Sequence, residues 1–211
     1  MTGRVRFALL TAPLTLGAFL VVGLTSPALA QKPVKIGVLT PLSPPGDAAA
    51  GQVLVRGPQM GADDVNARGG VLGGRKIELI IEDDSGTPEK GSAGFRKLVS
   101  QDQAVAVVGQ FHSSVMTAVQ ALAEQFKVPV FSTQASARQI TEQHLTYTFR
   151  THVIDPDRCQ MWTRWVKERG FKRAALIAEN TDYGVGLVDE TKKAFASIYP
   201  GAELQTIIFD R

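Results

Sequence analysis

Ala104–Ser114 reads AVAVVGQFHSS, and the architecture can be worked out from this stretch in both directions. Ala104–Gly109 is an unbroken apolar run of strand length, the pattern of a parallel strand covered on both faces. Gly109-Gln110-Phe111-His112 turns, and a helical pattern follows from about Ser114 to Lys127, with Val115, Ala118, Val119, Leu122 and Phe126 in register. A strand that passes through a glycine turn into a helix is half of a βαβ unit.

Upstream the same unit recurs. Val34–Thr40 (VKIGVLT) is a strand, Pro41–Gly46 a turn-rich loop, and Val53–Ala67 a helix stopped by Gly69-Gly70, with Val53, Gly57, Met60, Gly61 and Val65 near one stripe. Lys76–Glu82 is the next strand and Asp83–Gly86 a polar turn. Thr87 then caps a helix that has Pro88 at its first position, Glu89 near the positive dipole end, and Phe95, Leu98 and Val99 as its buried face. Downstream, Val128–Phe131 and Tyr147–Arg150 are strands. The pattern restarts at Asp155-Pro156-Asp157, which opens a helix carrying Met161, Trp162, Trp165 and Val166, closed by Gly170. Arg173–Ala178, Tyr183–Ile198 and Glu203–Phe209 follow as strand, helix and strand. This alternation predicts an α/β protein with parallel, doubly wound sheets and a boundary at Thr151–Asp155. The second unit has two strands before Arg211, too few to close an α/β core, so the sequence reads as a fragment of a longer protein.

Residues 1–30 have the form of a cleavable secretory leader. Arg4 and Arg6 are its positive end, Phe7–Leu24 its apolar run, and Ala28-Leu29-Ala30 the small-x-small cleavage site. The expected division is therefore a signal peptide over 1–30, a first α/β unit over 31–151 and the start of a second over 152–211. Of 23 Lys plus Arg, removing Arg4 and Arg6 leaves 21 against 20 Asp plus Glu. A near-neutral mature chain offers nothing for nucleic acid. The single cysteine, Cys159, excludes an internal disulfide and reads as buried filler.

In an open parallel sheet, ligands bind where strand ends lead into helices. Three such loops carry polar residues. In Gly109–Ser114, Ser113 or Ser114 is placed to cap the helix, whose free N–H groups and dipole suit a carboxylate; from the local sequence alone a plain N-cap is the favoured alternative. In Ser132-Thr133-Gln134-Ala135-Ser136, backbone and hydroxyls suit a polar ligand, or an ordinary Ser/Thr turn. In Glu179–Gly184, Tyr183 is placed to wall a cleft, or to pack on the surface. Nothing matches a dinucleotide loop, a P-loop or a nucleophile elbow. His112, His144 and His152 have no ligand spacing, so no metal and no cofactor are expected.

Taken as an ordered series, KIGVLTPLS (35–43), GADDVNARGGVLGGRKIEL (61–79), EDDSGTPEK (82–90), AVVGQFHSS (106–114), VPVFSTQAS (128–136) and AENTDYGVGL (178–187) resemble the periplasmic substrate-binding proteins of branched-chain amino acid ABC transporters, the leucine/isoleucine/valine-binding type. The resemblance implies a two-lobed, hinged, periplasmic-binding-protein-like fold, truncated here in its second lobe. It implies a periplasmic receptor, not an enzyme, that takes a small amino acid or related carboxylate or amide to a membrane permease. It places the ligand against Ser113, Ser114, Gln134, Ala135, Ser136 and Tyr183, with an acidic residue beyond Arg211 at the ammonium group. The chain departs from the leucine binders in having Ala50 near the position of an aromatic residue, and Gly86 and His112 at the approximate disulfide positions. The family also includes receptors for amides, urea and aromatic acids. A sensor domain of the same fold and an exported α/β enzyme are the competing readings; no cofactor loop, metal cluster or nucleophile motif supports the latter.

Overall fold

The computed structural model describes residues 32–210; the leader and its cleavage site lie outside them. The elements in order are β1 (Val34–Thr40), α1 (Ala48–Ala67), β2 (Ile77–Asp83), α2 (Pro88–Ser100), β3 (Ala106–Gly109), α3 (Ser113–Phe126), β4 (Val130–Ser132), α4 (Gln139–Glu142), β5 (Thr148–Arg150), α5 (Asp155–Glu168), β6 (Arg173–Glu179), α6 (Asp182–Ile198) and β7 (Glu203–Phe209). The first five strands form one sheet in the order β2-β1-β3-β4-β5, and β6 pairs with β7 in a second. Every pairing between these strands is parallel. The expected alternation of strand and helix is present, with the short α4 as an addition. The change of sheet falls between β5 and α5, across Thr151–Ile154.

The main core lies between the first sheet and the pair α2–α3. Leu39 and Val107 from the strands meet Phe95, Leu98, Val115, Met116 and Val119 from the two helices, all of them fully buried. Glycines set the spacing. A Cβ on Gly91 would stand 2.4 Å from Val115, and one on Gly94 2.8 Å from Leu39, so α2 can lie close to both α3 and the sheet. Burying this many large apolar side chains, at roughly 1.5–3 kcal/mol each, supplies the main driving force.

Helix α1 is oriented differently from the expected stripe. Val53 and Met60 are 62% and 72% exposed, and Gly57 and Gly61 have open space around them. The side turned inward runs through Gly51, Leu54, Val55, Pro58, Ala62 and Val65. Its small members decide this. A Cβ on Gly51 would collide with the Pro41 carbonyl at 1.6 Å, so only glycine lets the first turn of α1 lie against the β1 loop.

On helix α5, Met161 and Trp165 are exposed, while Asp155, Pro156, Cys159 and Thr163 are buried. Cys159 is fully buried and accepts from the Thr191 hydroxyl at 3.3 Å, as expected of a packed thiol. Trp165 instead leans on Phe171, and the Arg169 guanidinium lies over its ring.

Candidate functional site

A cavity of about 540 Å³ opens where the carboxyl ends of β3 and β4 face the starts of α5 and α6. Its polar wall begins with the β3–α3 loop. Gly109 (φ 125°) ends the strand in a backbone conformation that suits glycine, and a Cβ there would stand 2.3 Å from the Leu39 carbonyl. Gln110, also at positive φ and fully buried, donates through its N–H and its side-chain amide to the same carbonyl, at 2.9 and 3.2 Å. This tight turn aims the N-terminus of α3 at the cavity.

Like those of α4 and α5, that N-terminus has no side-chain cap. Asp47, Thr87 and Thr181 cap α1, α2 and α6 with side-chain oxygens, whereas α3 starts after His112 with no side-chain cap. Neither Ser113 nor Ser114 is the cap; both are already helical, and both line the cavity. The Ser113 hydroxyl instead accepts from the Ala137 N–H at 3.3 Å, which leaves its own proton available. The first N–H groups of the helix and the positive end of its dipole therefore face the cavity.

The β4 loop is stitched to this turn. Thr133 N–H donates to Gly109 O at 2.8 Å, and Ala135 N–H to Gln110 O at 3.1 Å. Gln134 and Ser136 line the cavity. Ala135 does not: it is 1% exposed within the core, and its carbonyl accepts from the Ser132 hydroxyl at 3.0 Å and from Arg150. Its neighbours turn outward because it turns inward.

The opposite wall comes from α5, β6 and α6. Tyr183, 36% exposed, follows the Thr181 cap. Gly184 beside it lets α6 start hard against β6, since a Cβ there would lie 2.0 Å from the Glu179 carbonyl. The structure thus brings Ser113, Ser114, Gln134, Ser136 and Tyr183 to one cavity. It adds Phe111, Trp162 and Arg158, which the sequence reading did not single out. The signal for Arg158 was present: it follows Asp155 by one helical turn, at a helix start beyond a strand end.

The electrostatics centre on Asp155, which is 1% exposed. Burial raises its carboxyl above the ordinary range, while the Ser136 hydroxyl, Arg158 and Arg150 pull it back. Its backbone N–H donates to Ser136 O at 3.0 Å. His152 is held below its usual value by burial and by Arg158 and Arg150. Burial pushes the Tyr183 phenol up. The Asp83-Asp84 turn is occupied internally: Asp83 accepts from Leu42 N–H at 2.7 Å and Ser85 N–H at 2.8 Å, and Asp84 from Gly86 N–H at 2.7 Å. Among the described residues no cluster of three or more His, Cys, Asp or Glu is placed to hold a metal.

Residues 33–201 match the profile of the periplasmic binding protein family. A Leu/Ile/Val-binding protein from Rhizobium johnstonii is 34% identical over 179 residues, covering 84% of this chain and 48% of that protein. The isoleucine complex of a branched-chain amino acid transporter substrate-binding protein from Streptococcus pneumoniae aligns with a TM-score of 0.76 at 28% identity, over 85% of this chain and 50% of the other. The benzoate complex of an ABC-transporter solute-binding protein from Rhodopseudomonas palustris aligns with a TM-score of 0.75 at 27% identity, over 84% and 48%. The chain spans about half the length of the relatives it matches. The two solved relatives are binding proteins of transporters. With its parallel sheets, its cavity at the strand ends and this match along most of its length, the chain belongs to the periplasmic binding protein family.

Proposed function

We propose that the chain forms the ligand-capturing part of an extracytoplasmic solute receptor, which takes up a small amino acid or related carboxylate or amide and delivers it to an ABC transporter permease. The leader over residues 1–30 would export it to the periplasm. The first sheet with its helices (31–151) and the second sheet (152–211) would be two lobes that close on the ligand. The observation that carries this reading is the N-terminus of α3. It has no side-chain cap and opens onto the cavity with Ser113 and Ser114. Unsatisfied N–H groups at the positive end of a helix dipole favour an anionic group. Ser113, Ser114, Gln134 and Ser136 would hold the polar end of the ligand. Tyr183, Trp162 and Phe111 would wall its apolar part.

The test is a thermal-shift panel of amino acids, amides and aromatic acids on the protein made from the complete reading frame. At least one should raise the melting temperature and be recovered unchanged. Conversion of a panel member into a different product would overturn the receptor reading.

A further inference from the structure

We propose that Arg158 is the cationic partner of a ligand carboxylate seated against Ser113 and Ser136, so that the cavity selects an acid over its amide. This rests on the receptor reading above. Arg158 lines the same cavity as Ser113 and Ser136, and its side chain is only 17% exposed. It sits in the first turn of α5, where the helix dipole disfavours a cation. Asp155 and Asp157 in the same turn offset that cost, with Asp155 pairing at 3.5 Å, and hold the guanidinium where it lines the cavity.

Asp155 pairs with its charge, but the surroundings leave part of its hydrogen-bonding capacity open. Its Nη1 stands 3.5 Å from Asp155 Oδ1 and 3.4 Å from the Tyr183 hydroxyl, both at the weak end of hydrogen bonding. Its Nη2 rests on His152 Nε2, a neutral acceptor. Arg150, the other guanidinium near Asp155, is spent on the Ala137 carbonyl at 2.9 Å and the Thr141 hydroxyl at 3.0 Å. A guanidinium presents five N–H donors in a fixed fork, so Arg158 retains donors for the cavity. Asp155 ties it to the polar wall, since the same residue bonds the Ser136 carbonyl through its N–H at 3.0 Å. Of the carboxylates lining the cavity, Asp47 is engaged in capping α1, and Glu179 stands at the end of β6.

The experiment compares matched acids and amides by calorimetry: L-leucine with L-leucinamide, and benzoate with benzamide. The protein is made from the complete reading frame, with Arg158→Gln and Arg158→Lys alongside and melting temperatures recorded. The unsubstituted protein should prefer the acid of whichever pair it binds. Arg158→Gln should weaken the acid about ten- to a hundredfold and change the amide by less than about threefold, with Arg158→Lys between. Equal loss for acid and amide, unchanged acid affinity, or an amide preference in the unsubstituted protein would overturn the assignment and leave the receptor reading standing. Binding of none of the four probes by the unsubstituted protein would overturn the assignment, and the receptor reading would then be decided by the wider thermal-shift panel.

Discussion

The Ser113 hydroxyl accepts a hydrogen bond from the Ala137 N–H at 3.3 Å, joining the first residue of α3 to the end of the loop after β4. Ser113 is therefore part of the scaffold as well as part of the cavity wall, and removing its oxygen has two separable effects. Ser113→Ala leaves the buried Ala137 N–H without an acceptor, which should cost about 1–3 kcal/mol of folding stability. If Ser113 donates to the ligand and Ser136 turns its one proton from Asp155 to the ligand, each alanine variant should also lose about ten- to a hundredfold in affinity, or roughly 1.5–3 kcal/mol. Calorimetry and urea unfolding on both variants separate the two effects. Unchanged affinity in both would remove these serines from the site.

Tyr183 is expected to act through its ring. Its hydroxyl has one long contact, 3.4 Å from Arg158 Nη1. Tyr183→Phe should leave ligand affinity nearly unchanged, while Tyr183→Ala should weaken it by about tenfold or more through lost apolar contact. Equal damage from the two substitutions, measured by calorimetry, would transfer the role to the hydroxyl.

Asp84 gives stability a pH dependence. Burial pushes its carboxyl up from 3.8 to about 6, against the lowering effect of the Gly86 N–H and with a further push from Asp83. A carboxyl whose folded pKa is raised favours the folded state while it is protonated. Its contribution is complete below about pH 4 and is lost as pH rises through about 6. The cost at neutral pH is on the order of 2–3 kcal/mol. Asp84→Asn should therefore unfold at higher urea than the parent at pH 7.5, with the gap closing towards pH 4. Asp83 runs the other way. Burial raises it, but hydrogen bonds from Ser43, Leu42 and Ser85 outweigh that and hold it at about 2, so its contribution is lost only in strong acid. A constant gap between parent and Asp84→Asn at all pH values would contradict this account.

Gly109→Ala should be among the most damaging single-methyl changes in the molecule. It combines a left-handed backbone with a Cβ 2.3 Å from the Leu39 carbonyl. We expect a loss of about 3 kcal/mol or more. Thermal unfolding is the direct measure, and a fall in melting temperature of under about 2 °C would show that the turn relaxes.

The leader should be removed after Ala30. Amino-terminal sequencing of the exported protein is expected to begin at Gln31. A mature chain that retains Phe7–Leu24 would identify that run as an anchor instead.

Much of the fold was legible because signals at different levels agreed. β7 was read with both ends in place, and Thr87-Pro88 fixed the start of α2, because cap chemistry is local. What escaped depends on distant partners. The exposure of Val53 and Met60 follows from how closely α1 approaches Pro41, and that is set by Gly51, a residue that contributes nothing to an apolar stripe. The sequence places the two tryptophans on α5 without assigning a face to them. The covered side of that helix carries the smaller Cys159 and Thr163, and Trp162 goes to the cavity. Loop positions that lead from strand ends into helices pointed to the cavity, but they did not show that Ala135 turns inward or that Arg158 faces the serines from across a change of sheet.

The uncapped start of α3 also bears on how this protein should be handled at the bench. Backbone donors at a helix end do not distinguish a solute from a buffer component. Sulfate and phosphate would compete for the same place, so apparent affinities should be weaker in those buffers than in large organic buffers at equal ionic strength. A dissociation constant for this protein will have meaning only beside the identity of the anion in the cell.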